Sequence, residues 1–149
     1  MSDAAVLHIC KGNQQTGEYV KQRLIEYNLQ KAVSLEGPLV EFVYLVLKDA
    51  DGLIVGGINA TVKHNWGLCH VDIFWIDEKY RNCGYGGRLL QQVEEIAKGK
   101  GCMTVQLETA SFQAPEFYRK QGYELIGTME ILPEGSSQYF FKKAISKNI

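Results

Sequence analysis

Apolar and polar positions along the chain fall into short blocks whose period changes several times. Val6 to Cys10 is a brief apolar run and predicts a first strand. Val20, Leu24 and Tyr27 then recur at helical spacing, with Lys21, Arg23 and Glu26 on other faces. Asn13 or Thr16 can cap this helix, which is predicted to run to about Val33 before Gly37-Pro38 stops it. Residues 40–48 are β-branched and aromatic and predict a strand. Asp49-Ala50-Asp51-Gly52 predicts a hairpin turn into a second strand from Leu53 to Val62, where the Gly56-Gly57 pair marks a bulge or a close backbone approach. After the turn His64-Asn65-Trp66-Gly67, Leu68 to Ile76 predicts a third strand.

The period then changes to 3.6. Leu89, Leu90, Val93, Ile96 and Ala97 mark a helix that Gly99 and Gly101 close. Met103, Val105 and Leu107 alternate with Thr104, Gln106 and Glu108 as a strand. Pro115 opens a short helix that Gly122 ends. Tyr123 to Ile131 and Gln138 to Lys143 predict two last strands. The order β-α-βββ-α-β-α-ββ predicts an α/β (α+β) fold, with a mixed, mostly antiparallel sheet of about seven strands flanked by helices.

Composition narrows the function classes. The 149 residues predict one domain, 1–149. Hydrophobic residues make up 46% and charged residues 22%, which excludes a disordered chain, a collagen-like chain and a disulfide scaffold. Lys plus Arg number 16 against 17 Asp plus Glu, so the basic excess of a dedicated nucleic-acid binder is missing. Cys10, Cys69, Cys83 and Cys102 form no CxxC pair, and His8, His64 and His70 form no metal-ligand spacing, so no metal is expected. The unclustered cysteines read as reduced thiols. The N-terminus lacks the pattern of a signal peptide, and the longest apolar run, Phe42 to Leu47, is far short of a membrane span. A cytoplasmic protein with no membrane partner is expected.

Between a strand and a helix lies Arg81-Asn82-Cys83-Gly84-Tyr85-Gly86-Gly87. Glycines allow a sharp bend and a close ligand approach. The first N–H groups of a helix have no partner inside it, and the helix dipole adds about half a positive charge there. Such a turn suits a phosphate or pyrophosphate. No Lys-Ser/Thr follows, which rules out a P-loop, and position 89 is Leu where a dinucleotide fingerprint needs Gly. A plain strand–helix connection is the other reading of these glycines.

Arg-x-x-Gly-x-Gly-Gly after a strand ending Phe74-Trp75-Ile76, with Tyr80-Arg81 between, resembles the acetyl-CoA-binding motif of the GNAT family of N-acetyltransferases. The stretch Ser111 to Tyr123, with Pro115, Tyr118 and Gly122-Tyr123, resembles that family's following motif, and Ser111 stands where many members carry Asn. The likeness is clear from about residue 68 to 125. It implies acyl transfer from acetyl-CoA (coenzyme A) to an amine. It implies that backbone N–H groups at a bulged end of the strand Phe74 to Ile76 hold the pantetheine arm and the developing oxyanion. Arg81, Asn82, Cys83, Gly84, Tyr85, Gly86, Gly87 and Arg88 would hold the pyrophosphate. Ser111, Ala114, Phe117 and Tyr118 would complete the cofactor site.

Tyr118 is the candidate acid for the departing thiolate, although its spacing beside Phe117 also fits a core aromatic. His70 and Asp72 stand two apart on one strand, so they share a face, and one or both are candidate bases. A hydrogen bond to backbone at a strand splay is their other reading. Glu41 and Glu108 are reserve candidates. Cys83 reads as a small side chain beside phosphate, with a covalent acyl-cysteine as the alternative. Direct transfer in a ternary complex to a small-molecule primary amine is expected. The alternatives are a peptide or protein acetyltransferase and a non-catalytic acyl-CoA-binding module. Exposed sheet edges make a homodimer an option.

Overall fold

The computed structural model describes residues 5–31 and 38–146, which fall into two compact units divided after residue 34. In the first unit, α1 spans Gln14–Lys31. Both candidate caps act. Asn13 Oδ1 accepts from the Thr16 N–H at 3.0 Å, and Thr16 Oγ1 accepts from the Asn13 N–H at 2.8 Å, so two orphan donors are satisfied reciprocally. The predicted end at Val33 and the Gly37 stop lie outside the described residues. Residues 6–10 form no strand. Val6, Leu7 and Ile9 are 93%, 87% and 102% exposed. A strand exists through its partner's hydrogen bonds, and an apolar run without one stays irregular.

The second unit holds β1 (Val40–Lys48), β2 (Ile54–Lys63), β3 (Leu68–Ile76), α2 (Tyr85–Gly99), β4 (Thr104–Ala110), α3 (Pro115–Lys120), β5 (Glu124–Ile131) and β6 (Ser136–Ala144). The strands form one six-stranded sheet in the order β1-β2-β3-β4-β6-β5. Among the described residues six strands stand where seven were expected, because the run at residues 6–10 is not a strand. All neighbours are antiparallel except β3 and β4. The β1–β2 turn is fixed by Asp49, whose Oδ1 accepts from the N–H groups of Asp51 and Leu53, both at 2.9 Å. The close approach expected at Gly56-Gly57 is present: a Cβ on Gly57 would lie 2.8 Å from the Leu45 carbonyl oxygen.

One face of the sheet carries the core. Ile58 and Val62 of β2, Cys69 of β3, Val105 and Leu107 of β4 and Phe141 of β6 pack with Leu90, Val93 and Ala97 of α2. The helical stripe read from the sequence is the one that α2 buries. A half-buried polar group fixes the helix on the sheet: Glu94 of α2 accepts from the Tyr123 hydroxyl at 2.8 Å and from Lys143 Nζ of β6 at 2.9 Å.

Two irregularities create a cleft. The parallel pairing of β3 with β4 covers only Leu68–Thr104, Cys69–Val105 and His70–Gln106. Beyond it the two strands part, each still bonded to its outer neighbour. In β3, Val71 pairs with Ala60 and Ile73 with Asn59, so Asp72 is the extra residue of a bulge. Pairing is regular from Phe74 to Ile76, so the bulge lies before the segment where it was expected. The insertion flips the alternation. Cys69 and Val71 face the core before it, and Phe74 and Ile76 pack against the core after it.

Candidate active site

The parted ends of β3 and β4, the start of α2 and Phe117 and Tyr118 of α3 line a cleft of about 1130 Å³. One end is the glycine turn. Asp77 begins it by accepting from the Lys79 N–H at 3.0 Å, which nucleates the single turn Glu78–Tyr80. Arg81 Nε donates to the Ile76 carbonyl at 2.9 Å, so the arginine fixes the end of β3 while its guanidinium lines the cleft. Asn82 at φ 62° and Gly84 at φ 87° reverse the chain into α2. Asn tolerates this left-handed region and Gly enters it without strain. The first helical return bond is from the Arg88 N–H to the Gly84 carbonyl, 3.3 Å, so the preceding N–H groups have no helical partner. Gly86 has a second reason to be small: a Cβ there would lie 3.2 Å from Phe117 Cζ of α3. The arginine of Arg88 stands over the Tyr85 ring, 5.7 Å from its centroid.

Of the residues expected to hold the cofactor, Phe74, Trp75, Ile76, Arg81, Asn82, Gly84, Gly86, Gly87, Arg88, Ala114, Phe117 and Tyr118 line this one cleft. Cys83, Tyr85 and Ser111 do not. Cys83 is exposed, with its thiol 3.4 Å from the Arg81 carbonyl. The Ser111 hydroxyl accepts from the Ser137 N–H at 3.0 Å, and its own N–H donates to the Ser137 carbonyl at 2.7 Å, which turns it toward β6. Gln113 lines the cleft in its neighbourhood. Its Oε1 accepts from the Ala110 N–H at 2.8 Å and from the Thr109 hydroxyl at 3.1 Å, and so holds the end of β4. A polar residue two places before Pro115 was the only signal in the sequence for it.

Tyr118 sits among Phe74, Phe117, Tyr123 and Phe141, at ring separations of 6.4, 5.1, 6.1 and 6.0 Å. It is both a packed aromatic and a cleft residue. Burial pushes its phenol up to about 12, so the hydroxyl is a donor throughout the physiological range.

On the face of the sheet opposite α2, the pairing of β3 with β2 and with β4 brings together residues far apart in sequence. His70 Nδ1 lies 2.6 Å from Asp72 Oδ1, and His70 Nε2 lies 2.7 Å from Glu108 Oε2. Thr61 Oγ1 donates to Asp72 Oδ2 at 2.5 Å, and Gln106 Nε2 donates to Glu108 Oε1 at 3.0 Å. Asp72 and Glu108 line the cleft, one from each parted strand. Thus the expected pair His70–Asp72 is in contact, and Glu108 joins it. The alternation Gln106/Glu108 placed Glu108 on a face, but nothing local in the sequence paired that face with His70. Glu41 is elsewhere. It accepts from Lys100 Nζ at 2.6 Å and lies 2.8 Å from His64 Nε2, and the hydrogen bond from Lys100, then that of His64, holds its carboxyl below the usual range.

Among the described residues no cluster of His, Cys, Asp and Glu suits a metal ion, and no helix is long and apolar enough to cross a membrane. Cys69 and Cys102 are buried, and burial pushes the Cys69 thiol up to about 12.

Comparison with known proteins shows what the chain is similar to. The sequence model of the acetyltransferase (GNAT) domain matches residues 41–125. The blasticidin-S acetyltransferase of Streptomyces morookaense is 36% identical over 95 residues, 63% of this chain and 68% of that protein. A crystal structure of an acetyltransferase from Bacillus cereus ATCC 14579 superposes with a TM-score of 0.83 and 43% identity, covering 93% of this chain and 97% of that one. An aminoglycoside 6'-N-acetyltransferase solved with coenzyme A shares the fold, with a TM-score of 0.63 and 16% identity over 90% of this chain and 82% of its own.

Proposed function

Since the chain belongs to the GNAT acetyltransferase family, whose members use acetyl-CoA, we propose that it moves the acetyl group of acetyl-CoA to a primary amine of a small, cationic molecule by direct attack in a ternary complex. The observation that carries this reading is the cleft itself: a pyrophosphate-type turn at one end, a half-buried phenol on the wall and a carboxylate on each of the two parted strands.

The residues present suit acetyl-CoA. Free N–H groups at the start of α2, with Arg81 and Arg88 beside them, match a diphosphate. The unpaired inner edges of β3 and β4 match an arm that carries two amides. An amine that arrives as an ammonium must first lose a proton, and the carboxylates of Asp72 and Glu108 stand ready to attract it and take that proton. The nitrogen lone pair then forms the N–C bond while the carbonyl pair moves onto oxygen, under donors on the β3 backbone. Collapse breaks the C–S bond. The thiolate leaves under a hydrogen bond from Tyr118, and the second nitrogen proton, shed as the amide forms, ends on the sulfur. A phenol at about 12 is a weaker acid than a thiol at roughly 8.5, so Tyr118 acts chiefly as a donor to the developing thiolate.

The test is a screen of amines, with blasticidin S and simple polyamines first, read by thiol release and run beside Tyr118→Phe. The relative of Streptomyces morookaense motivates the first acceptor. Turnover that falls in Tyr118→Phe supports the reading. Acetyl-CoA binding with no turnover on any amine or peptide would favour the non-catalytic module.

A further inference from the structure

The imidazole of His70 touches two carboxylates at once, and this sets a count of protons. A neutral imidazole has one N–H and one bare nitrogen, and an ionised carboxylate only accepts. Contacts of 2.6 Å to Asp72 and 2.7 Å to Glu108 cannot both be hydrogen bonds to a neutral ring unless a carboxylate carries the missing proton. The other oxygens of both carboxylates are already engaged, Asp72 Oδ2 accepting from Thr61 Oγ1 and Glu108 Oε1 accepting from Gln106 Nε2. Position adds meaning to the count. His70 and Gln106 are the last pair between β3 and β4, and Asp72 and Glu108 are the first polar side chains past the point where the two strands part. Asp72 is the bulged residue of β3, and its carboxylate meets the ring.

We propose that His70 is a positioning residue rather than the base: a doubly protonated imidazolium that ties Asp72 on β3 to Glu108 on β4, holds both carboxylates at the mouth of the cleft and leaves the group one net negative charge for an acceptor's ammonium. The inference rests on the acetyl-transfer reading for its consequence, and on hydrogen-bond geometry alone for the clamp. A ring with both nitrogens occupied has no lone pair for an incoming proton, so proton acceptance falls to the carboxylates it orients. The groups that face the ring are Thr61 of β2, Asp72 of β3, and Gln106 and Glu108 of β4. Lys142 of β6 stands in register with Gln106 and pairs with Glu124 at 3.5 Å.

Imidazole nitrogen NMR on the full chain at neutral pH tests the clamp without any turnover, with the His70 signals assigned by their loss in His70→Gln. Both ring nitrogens of His70 are expected to be protonated, and one is expected to lose its proton in the double variant Asp72→Asn, Glu108→Gln. One bare ring nitrogen in the wild type at neutral pH overturns the proposal. With the amine returned by the acceptor screen, His70→Gln is expected to lower kcat by ~10- to 100-fold, the scale of a misplaced reacting group. The KM for acetyl-CoA is expected to stay within about twofold, as befits a residue that acts only on the acceptor side. Wild-type kcat together with a wild-type pH profile in His70→Gln overturns the positioning role. Failure of the acetyltransferase reading looks different: thiol release is absent while the doubly protonated ring remains.

Discussion

The two ends of the cleft are built by different means. At the glycine turn the chain presents main-chain N–H groups, and the side chains serve to shape the backbone: Gly84 reverses it, Gly86 lets α3 approach, and Arg81 ties it to β3. At the bulge the chain presents side chains drawn from three strands, Thr61, His70 with Asp72, and Glu108, locked into one hydrogen-bonded row. The first construction suits a ligand whose charged part is always the same, because peptide groups offer one fixed chemistry. The second suits an acceptor specific to this protein, because substitutions at a few positions can retune it without moving the backbone.

Changes at the acidic row should strike turnover and spare the donor substrate. The largest effect is expected from the double variant Asp72→Asn, Glu108→Gln: a loss of ~10²–10⁴ in kcat/KM for the amine, the range of acid–base catalysis. Acetyl-CoA binding measured by calorimetry should remain. A parallel loss of acetyl-CoA affinity would break the division between the two ends.

Changes at the turn should do the reverse. Arg81→Ala removes a charged contact and frees the end of β3. Charged hydrogen bonds are worth about 1.5–3 kcal/mol, so the KM for acetyl-CoA should rise by roughly 10- to 100-fold. The kcat at saturating acetyl-CoA should stay within about threefold. Tyr118→Phe lies between the ends. Loss of the hydroxyl should cost on the order of 10–10² in kcat, toward the low end of acid catalysis, since burial makes this phenol a reluctant proton donor.

Thiol accessibility gives a smaller and simpler contrast. Native protein should react rapidly with a thiol reagent at Cys10 and Cys83 and slowly at Cys69 and Cys102, which are buried. The smallest effect concerns alkaline stability. Burial raises the Tyr118 phenol from its ordinary 10 to about 12, and burial with the neighbouring Glu94 raises Tyr123 as well. Folding therefore keeps these protons longer than the unfolded chain does. Their contribution is fully present below about pH 10 and is lost as pH climbs toward 12. Denaturant midpoints should be flat with respect to these groups from pH 8 to 10 and fall above that. In Tyr123→Phe that fall should be shallower.

The same contrast explains what the sequence made legible. The turn was readable because everything it needs lies within eight consecutive residues, Arg81 to Arg88, and because glycine spacing is itself the physical requirement. The α2 stripe was readable for a similar reason: one local period fixes which side chains it buries. His70 and Asp72 stood out as polar residues in an apolar strand. Their third partner, Glu108, lies 38 positions from His70, and only the parallel pairing of β3 with β4 brings it there. Gln113 was missed because its work, holding the end of β4, depends on where that strand stops. The first strand failed for the opposite reason. Val6 to Cys10 carries the right composition, but pairing is a property of two segments, and no composition supplies the second.

Calorimetric titration of acetyl-CoA into the wild-type protein and into Gly86→Val is the most direct check on the cleft. The added branch would meet Phe117 across the junction of α2 and α3. Saturable one-to-one binding in the wild type, abolished in a Gly86→Val protein that still melts cooperatively, is the expected result. No heat in the wild type, or undiminished affinity in the folded variant, would mean that the thioester substrate does not sit between the glycine turn and the parted strands.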